Sequence, residues 1–167
     1  MKEIPLTKGQ SALIDDADFE WISQWKWCAS KAHSGYYAMR AERSFGGKYK
    51  FVYMHRMING TPAGVATDHI DGDGLNNTRA NLRDATNQQN AANGRRHKDG
   101  SSRFKGVSRN PKPGPLNPKP WIAHIGVDGA VRHLGTFLNE EDAAAAYASA
   151  AKEAFGDFHR PSEEKSP

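Results

Sequence analysis

The chain is poor in cysteine, in long apolar runs and in apolar residues altogether. One cysteine, Cys28, occurs among 167 residues. No internal disulfide can therefore form, and no cysteine-rich zinc site can be built. Cys28 itself reads as a small buried residue. No window approaches the roughly 18 apolar residues of a membrane span, so no membrane partner is expected. The Met1-Lys2-Glu3-Ile4-Pro5 start lacks the apolar stretch of a signal peptide. Hydrophobic residues make up only 37% of the chain, and mean hydropathy is −0.78. Sixteen glycines, nine prolines and ten asparagines imply many turns and a core assembled from small modules. A chain of this length makes one generous domain or two small ones. The expectation is a soluble, basic, intracellular protein.

Acidic residues are scarce in one stretch. Residues 91–138 hold nine basic and two acidic residues, whereas residues 1–90 are nearly balanced and residues 139–167 are acidic. The excess forms a band through Arg95, Arg96, Lys98, Arg103, Lys105, Arg109 and Arg132. Such a band is the electrostatic footprint of a phosphate-backbone binder. Lys112 and Lys119, in a proline-rich loop, are divided evenly between surface charge and phosphate contact. His97, His124 and His133 lack paired metal-ligand spacing, and the last two suit a DNA-facing surface.

Three segments follow from the pattern. Residues 1–58 read as short strands, with Tyr36–Arg40 and Lys48–Tyr53 joined across Gly46-Gly47. Asp15-Asp16-Ala17-Asp18 suits the cap of a short helix carrying Phe19, Trp21 and Ile22. Trp21, Trp25 and Trp27 read as anchors of a small core. Residues 101–162 read as three strands, 104–109, 121–127 and 131–137, followed by one helix. Asp128-Gly129 is a hairpin turn, Asn139 a helix N-cap and Gly156 a stop. That helix carries Tyr147 and Ala151 on one face and must pack on the sheet.

The middle segment carries the chemistry. Val65–Ile70 suits a strand ending near His69, Asp71–Asn77 a loop, and Leu82–Ala85 a second strand. Thr86 caps a helix running through Asn90 to about Asn93. A hard cation such as Mg²⁺ takes oxygen ligands, few of them from protein and the rest from water and phosphate. Asp68 supplies an anionic oxygen and Asn90 a neutral one. His69, with an ordinary pKa of about 6.5, can take a proton from an attacking water near neutral pH. Asn81 sits where its amide can bridge backbone groups across the loop and hold the histidine. Asp71-x-Asp73 is no calcium loop, because Leu75 and Leu82 occupy ligand positions. Asn76 and Asn77 suit loop backbone rather than metal. His55 is either a substrate contact or a buried, hydrogen-bonded histidine, and Arg56 beside it is equally open.

Asp68-His69, Asn81 twelve residues on and Asn90 nine further on resemble the HNH, or ββα-metal, nuclease motif. The Asp-His-Ile-Asp-Gly pattern, the Asn-Asn pair and Asn-Leu-Arg are similar to the phage intron-encoded homing endonucleases, as is the lead-in Met54-His55-Arg56-Met57-Ile58. The resemblance implies a site-directed DNA endonuclease with catalytic His69, Asp68, Asn90 and Asn81. It implies one Mg²⁺ or Mn²⁺ per site held by Asp68 and Asn90, and 5′-phosphate and 3′-hydroxyl products. Asn90 stands where colicin-like members place a histidine, which favours Mg²⁺ or Mn²⁺ over zinc.

Phe104-Lys105-Gly106-Val107, Trp121–Ile125, Leu134–Phe137 and Glu141–Tyr147 resemble the plant ethylene-response-factor (Apetala-type) DNA-binding domain, which lays its sheet in the major groove. Residues of that family's DNA face fall here at Ser108, Asn110, Gly126, Val131 and His133. The expected fold class is α+β: small antiparallel strands, a central ββα-metal motif and a three-stranded sheet packed on one helix, in an extended layout. The expected boundaries are a DNA-positioning region at 1–58, the nuclease motif at 59–94, a basic linker at 95–103, the DNA-binding domain at 104–162 and a tail at 163–167. The expected partner is double-stranded DNA, cut on one strand by a monomer in the cytoplasm of a bacterial host of a phage. The rival reading is a sequence-specific DNA-binding regulator with an inactive HNH remnant. The complete set of Asp68, His69, Asn81 and Asn90 argues against it.

Overall fold

The computed structural model describes residues 1–32, 35–44, 46–94, 100–114 and 118–160. It divides into two compact units, Met1–Asn90 and Ala91–Pro167. Both mix helices with small antiparallel sheets, as expected of an α+β chain.

The first unit opens with an antiparallel pair, β1 (Lys2–Pro5) and β2 (Ser11–Ile14), which turns Ile4, Ala12 and Ile14 inward. Helix α1 (Phe19–Ile22) follows. The acidic run before it does not cap it, contrary to the sequence expectation. Asp15 Oδ2 instead accepts the backbone N–H of Arg79 at 2.8 Å. Asp18 accepts Arg79 Nε and Nη2 at 2.8 and 2.6 Å, and the Trp21 indole N–H at 3.0 Å. Asp18 is only 2% exposed. A carboxylate so buried needs a cation and donors more than an exposed helix end needs a cap. Burial alone would raise its pKa, but the Arg79 and Trp21 contacts outweigh it and hold the carboxyl below its usual range.

Strands β3 (Cys28–Ala32), β4 (Gly35–Arg43) and β5 (Tyr49–Tyr53) form a sheet in that order. Cys28 is exposed rather than buried. Side chains alternate along a strand, and Ala29 takes the inward position of β3. The tryptophans form an edge-to-face chain, Trp21 to Trp25 at 6.2 Å and Trp25 to Trp27 at 6.3 Å. Trp27 is the buried member, and the Arg40 guanidinium lies over Trp25 and Trp27. Helix α2 (Met54–Asn59) inserts Met54 and Ile58 into the core beside Ile14, Ile22 and Leu82. An antiparallel pair, β6 (Ala66–His69) and β7 (Leu82–Ala85), then leads into α3 (Asn87–Asn93).

The second unit holds β8 (Val107–Arg109), β9 (Trp121–Val127) and β10 (Ala130–Phe137), with β9 in the centre. Helix α4 (Glu140–Phe155) packs Ala143, Tyr147, Ala150 and Ala151 against them. Strand β8 is shorter than the expected 104–109 run, because Gly106 has φ +70° and the extended run begins only at Val107. Asn139 precedes α4 in extended conformation but makes no side-chain cap bond, since its amide donates to Asp142 at 3.2 Å.

Gly106 also lies against Tyr147: a Cβ there would stand 1.9 Å from the ring. Gly106→Ala combines overpacking with an unfavourable positive φ, together costing about 2–4 kcal/mol. A thermal melt followed in the tryptophan and tyrosine signals should show a clearly lowered midpoint.

Candidate active site

The loop between β6 and β7 is built by short-range hydrogen bonds that its Asp, Asn and Gly residues make possible. Asp71 Oδ1 accepts the Asp73 N–H at 2.8 Å, and Asp73 Oδ1 accepts the Leu75 N–H at 3.0 Å. These are Asx turns, in which a side chain stands in for a backbone carbonyl. Asn76 donates to Asp71 Oδ2 at 2.7 Å. Asn81 spans the loop. Its Nδ2 donates to Asp71 Oδ1 at 2.9 Å and to the Asn76 carbonyl at 2.8 Å, while its Oδ1 accepts the Asp71 N–H at 3.0 Å. The Ile70 N–H donates to the Asn81 carbonyl at 2.9 Å, closing the turn directly after His69. Burial works against ionisation of Asp71, but these donors and the nearby His69 together hold its carboxyl below the usual range.

The rest of the first unit holds this loop from outside. The Leu13 N–H donates to the Leu75 carbonyl at 2.9 Å, and the Asn77 N–H donates to the Leu13 carbonyl at 2.8 Å. Asp15 and Asp18 grip Arg79 as described. Gly74 lies against β4, where a Cβ would stand 2.5 Å from the Tyr36 carbonyl oxygen and 2.7 Å from the Tyr37 ring. Only glycine permits that approach.

His69 ends β6 and is 5% exposed. Its Nε2 lies 3.4 Å from Asn77 Oδ1, while Asn77 Nδ2 donates to the Leu75 carbonyl at 3.0 Å. With Oδ1 acting as acceptor, Nε2 carries the proton, and in the neutral ring Nδ1 carries the lone pair. Burial lowers the His69 pKa, and the opposing pull of Asn77, Asp71, Asp68 and Asp73 does not reverse it. His69 is therefore neutral at pH 7 and able to accept a proton. Its ring meets His55 edge-on at 4.9 Å and Tyr37 at 5.7 Å. Tyr53 and Tyr37 also flank His55, at 5.5 and 5.6 Å.

Asp68 precedes His69 on β6 and is 3% exposed. Across the pair, Arg83 Nε donates to its Oδ2 at 2.8 Å, with Nη2 also 2.8 Å from that oxygen. Asn90 lies on α3 with its side chain exposed. The start of that helix is a reciprocal capping box: Thr86 Oγ1 accepts the Gln89 N–H at 3.1 Å, and Gln89 Oε1 accepts the Thr86 N–H at 2.8 Å.

The structure thus gathers His69 with Asn77, Tyr37 and His55, pairs Asp68 with Arg83, and makes Asn81 the brace of the loop. Among the described residues no three His, Cys, Asp or Glu side chains converge on a metal position. Asp68 and Asn90 offer one carboxylate and one amide oxygen. Those donors fit a hard cation that takes its remaining ligands from phosphate and water.

Several residues expected at DNA have other partners. Lys105 does not reach out to phosphate: its Nζ donates to the carbonyls of Ala91, Ala92 and Gly94 at 2.9, 2.6 and 2.8 Å. An ammonium has three donors, and the carbonyls at the end of α3 need partners, so the lysine serves as a helix C-cap. Burial, with Arg160 nearby, lowers its pKa to about 8. Arg103 pairs with Glu140 and Glu141 at the start of α4. Arg56 donates to the carbonyls of Val65 at 2.7 Å and Pro62 at 2.9 Å, bracing the chain between α2 and β6. Arg109 lies over Trp121, and His124 and His133 are cross-strand neighbours on β9 and β10 beside exposed Arg132. Arg95, Arg96, His97 and Lys98 lie outside the described residues. Sequence reasoning missed Asn77 and Tyr37. Nothing local separates Asn77 from its loop neighbour Asn76, and Tyr37 arrives from a distant strand.

Comparison with known proteins adds two findings. Residues 48–92 match the HNH endonuclease family. An uncharacterized HNH endonuclease of Acanthamoeba polyphaga mimivirus is 33% identical over 154 residues, covering 92% of this chain and 75% of the relative. No solved structure matches the chain.

Proposed function

Because the chain belongs to the HNH endonuclease family and is a DNA endonuclease, we propose that it is a divalent-metal-dependent nicking enzyme of the homing type, with His69 as general base. The observation that carries this reading is His69 itself: a buried imidazole at the end of β6, held against Asn77 and backed by a loop braced through Asn81. In this reading His69 takes the proton of the attacking water, and Asn81 keeps the loop that presents it. Asp68 and Asn90 hold the metal, with Mg²⁺ or Mn²⁺ suiting their oxygen donors. When bound, such a cation supplies charge stabilisation at the phosphate oxygens. Arg83 holds the Asp68 carboxylate in place. The second unit, a three-stranded sheet backed by α4, serves as an Apetala-type DNA-binding module with Arg109, His124, Arg132 and His133 toward DNA. One such site addresses one scissile phosphate, which suits a monomer that cuts one strand. Its place of action is the cytoplasm of a host cell.

Supercoiled plasmid carrying the target should convert to open circle with Mg²⁺ or Mn²⁺, and not with EDTA. Linear product should appear only late. Prompt linearisation together with a dimer mass would overturn nicking by a monomer. Intact plasmid under every condition, with specific gel shifts, would instead indicate a DNA-binding regulator.

A further inference from the structure

Tyr49 and Phe51 have no part in the site described so far. They are 69% and 56% exposed, and among the described residues no other aromatic side chain is exposed. Both lie on β5 two residues apart, so both point to one face of the sheet, which Tyr53 shares. Tyr53 flanks His55 beside His69, so this face runs from the candidate active site out along the hairpin. Strand β3 pairs with β4 only at residues 35–39, and beyond it residues 40–43 and 49–52 continue as a two-stranded ribbon. Across that ribbon Phe51 faces Ala41, which is too small to cover it, and Tyr49 faces Arg43.

The near balance of charge over residues 1–90 hides a basic stretch around these rings. Residues 26–67 hold seven Lys and Arg residues and one acid, Glu42. Glu42 is paired with Arg40, while Arg43, Lys48 and Lys50 stand exposed around the rings. Cations interleaved with exposed rings fit opened DNA, whose phosphates take the cations and whose bases offer faces for stacking. Phe51 has no donor or acceptor with which to read base edges, so stacking is the contact open to it. Along the strand the two side chains are about 6.8 Å apart, twice the roughly 3.4 Å between successive nucleotides, which leaves room for one base between them.

We propose that Tyr49 and Phe51 form a stacking platform that holds unpaired bases of the DNA substrate beside the cut, with Arg43, Lys48 and Lys50 on its phosphates. By strand geometry Phe51 lies about 7 Å and Tyr49 about 14 Å from Tyr53, so the opened stretch adjoins the phosphate presented to His69. Its place beside the cut rests on the reading of His69 as general base.

The test uses two fluorescein-labelled duplexes that differ only in a central run of mismatches, titrated with the full chain in EDTA and followed by anisotropy. Stacking is worth about 5- to 150-fold in affinity per base, so the wild type should bind the mismatched duplex tighter by at least the lower figure. Y49A and F51A should each lose part of that preference and the double variant all of it, with affinity for the paired duplex unchanged. Y49F and F51W, which keep a ring, should keep the preference. K48A and K50A should weaken binding to both duplexes alike and flatten its salt dependence. Thermal melts establish that each of these surface variants folds. Equal wild-type affinity for the two duplexes, or an undiminished preference in the double variant, would overturn the proposal. So would a wild-type dimer in sedimentation that the double variant converts to monomer with its DNA preference unchanged, since the face then joins two copies. A protein that cuts no DNA yet shows the ring-dependent preference loses the His69 reading and retains the platform.

Discussion

Replacing His69 with alanine should lower cleavage by about 10²–10⁴-fold while DNA binding stays intact, the usual scale of general-base catalysis. The expectation of so large an effect comes from how little else near the loop can take a proton at pH 7. Asp71 is held as a weakly basic carboxylate by its donors, and Asp68 is committed to Arg83. His55 is buried beside His69 rather than at the loop surface. His69→Ala removes a ring that packs against Tyr37 and His55, so the variant should also be checked for folding. His69→Gln keeps much of that volume and serves as the second test. Measured single-turnover rates and gel shifts on the same nicked-strand substrate separate chemistry from binding. Wild-type turnover in either variant would remove His69 from the mechanism.

The second large effect concerns acid. Burial, with smaller contributions from His69 and Arg56, lowers the His55 pKa from 6.5 to about 3. A histidine whose folded pKa lies below its unfolded value resists protonation when folded. The unfolded chain therefore takes up the proton first as pH falls. Stability is fully present above about pH 6.5 and declines toward pH 3. Each pH unit inside that window is worth about 1.4 kcal/mol, so the loss between pH 6.5 and 4.5 should reach about 2–3 kcal/mol. His69 shifts in the same direction and adds to it. The carboxylates with lowered pKa, Asp16, Asp18 and Asp71, act below their ordinary value of 3.8 and so outside this range. Urea unfolding at pH 7, 6, 5 and 4.5 reads the slope, and H55F should flatten it. A first unit equally stable at pH 6.5 and 4.5 would show that His55 is not buried in its neutral form.

Much of the local structure was legible from residues alone. Asp128-Gly129 reads as a hairpin turn, and both residues do take positive φ between β9 and β10. Thr86 reads as a helix cap, and it makes the reciprocal bonds of a capping box with Gln89. The pattern puts the Tyr147 and Ala151 face of α4 on its sheet, and both residues are buried there. These features depend on a few neighbouring side chains and on backbone sterics, which a short stretch of sequence carries in full.

Tertiary structure decided the remainder, wherever a side chain had to choose among partners distant in the chain. Lys105 reads as one charge in a basic band, yet three helix-end carbonyls offer it better bonds than a solvated phosphate site would. Asp15 and Asp18 read as helix caps, yet Arg79, more than sixty residues on, is a stronger partner for a buried carboxylate. His55 joins His69 only because α2 and β6 pack in one core with Tyr37 from β4. Sequence determined which groups and turns are present. Packing determined which of those groups face one another, since desolvation makes the cost of an unpaired charge depend on burial rather than on position in the chain.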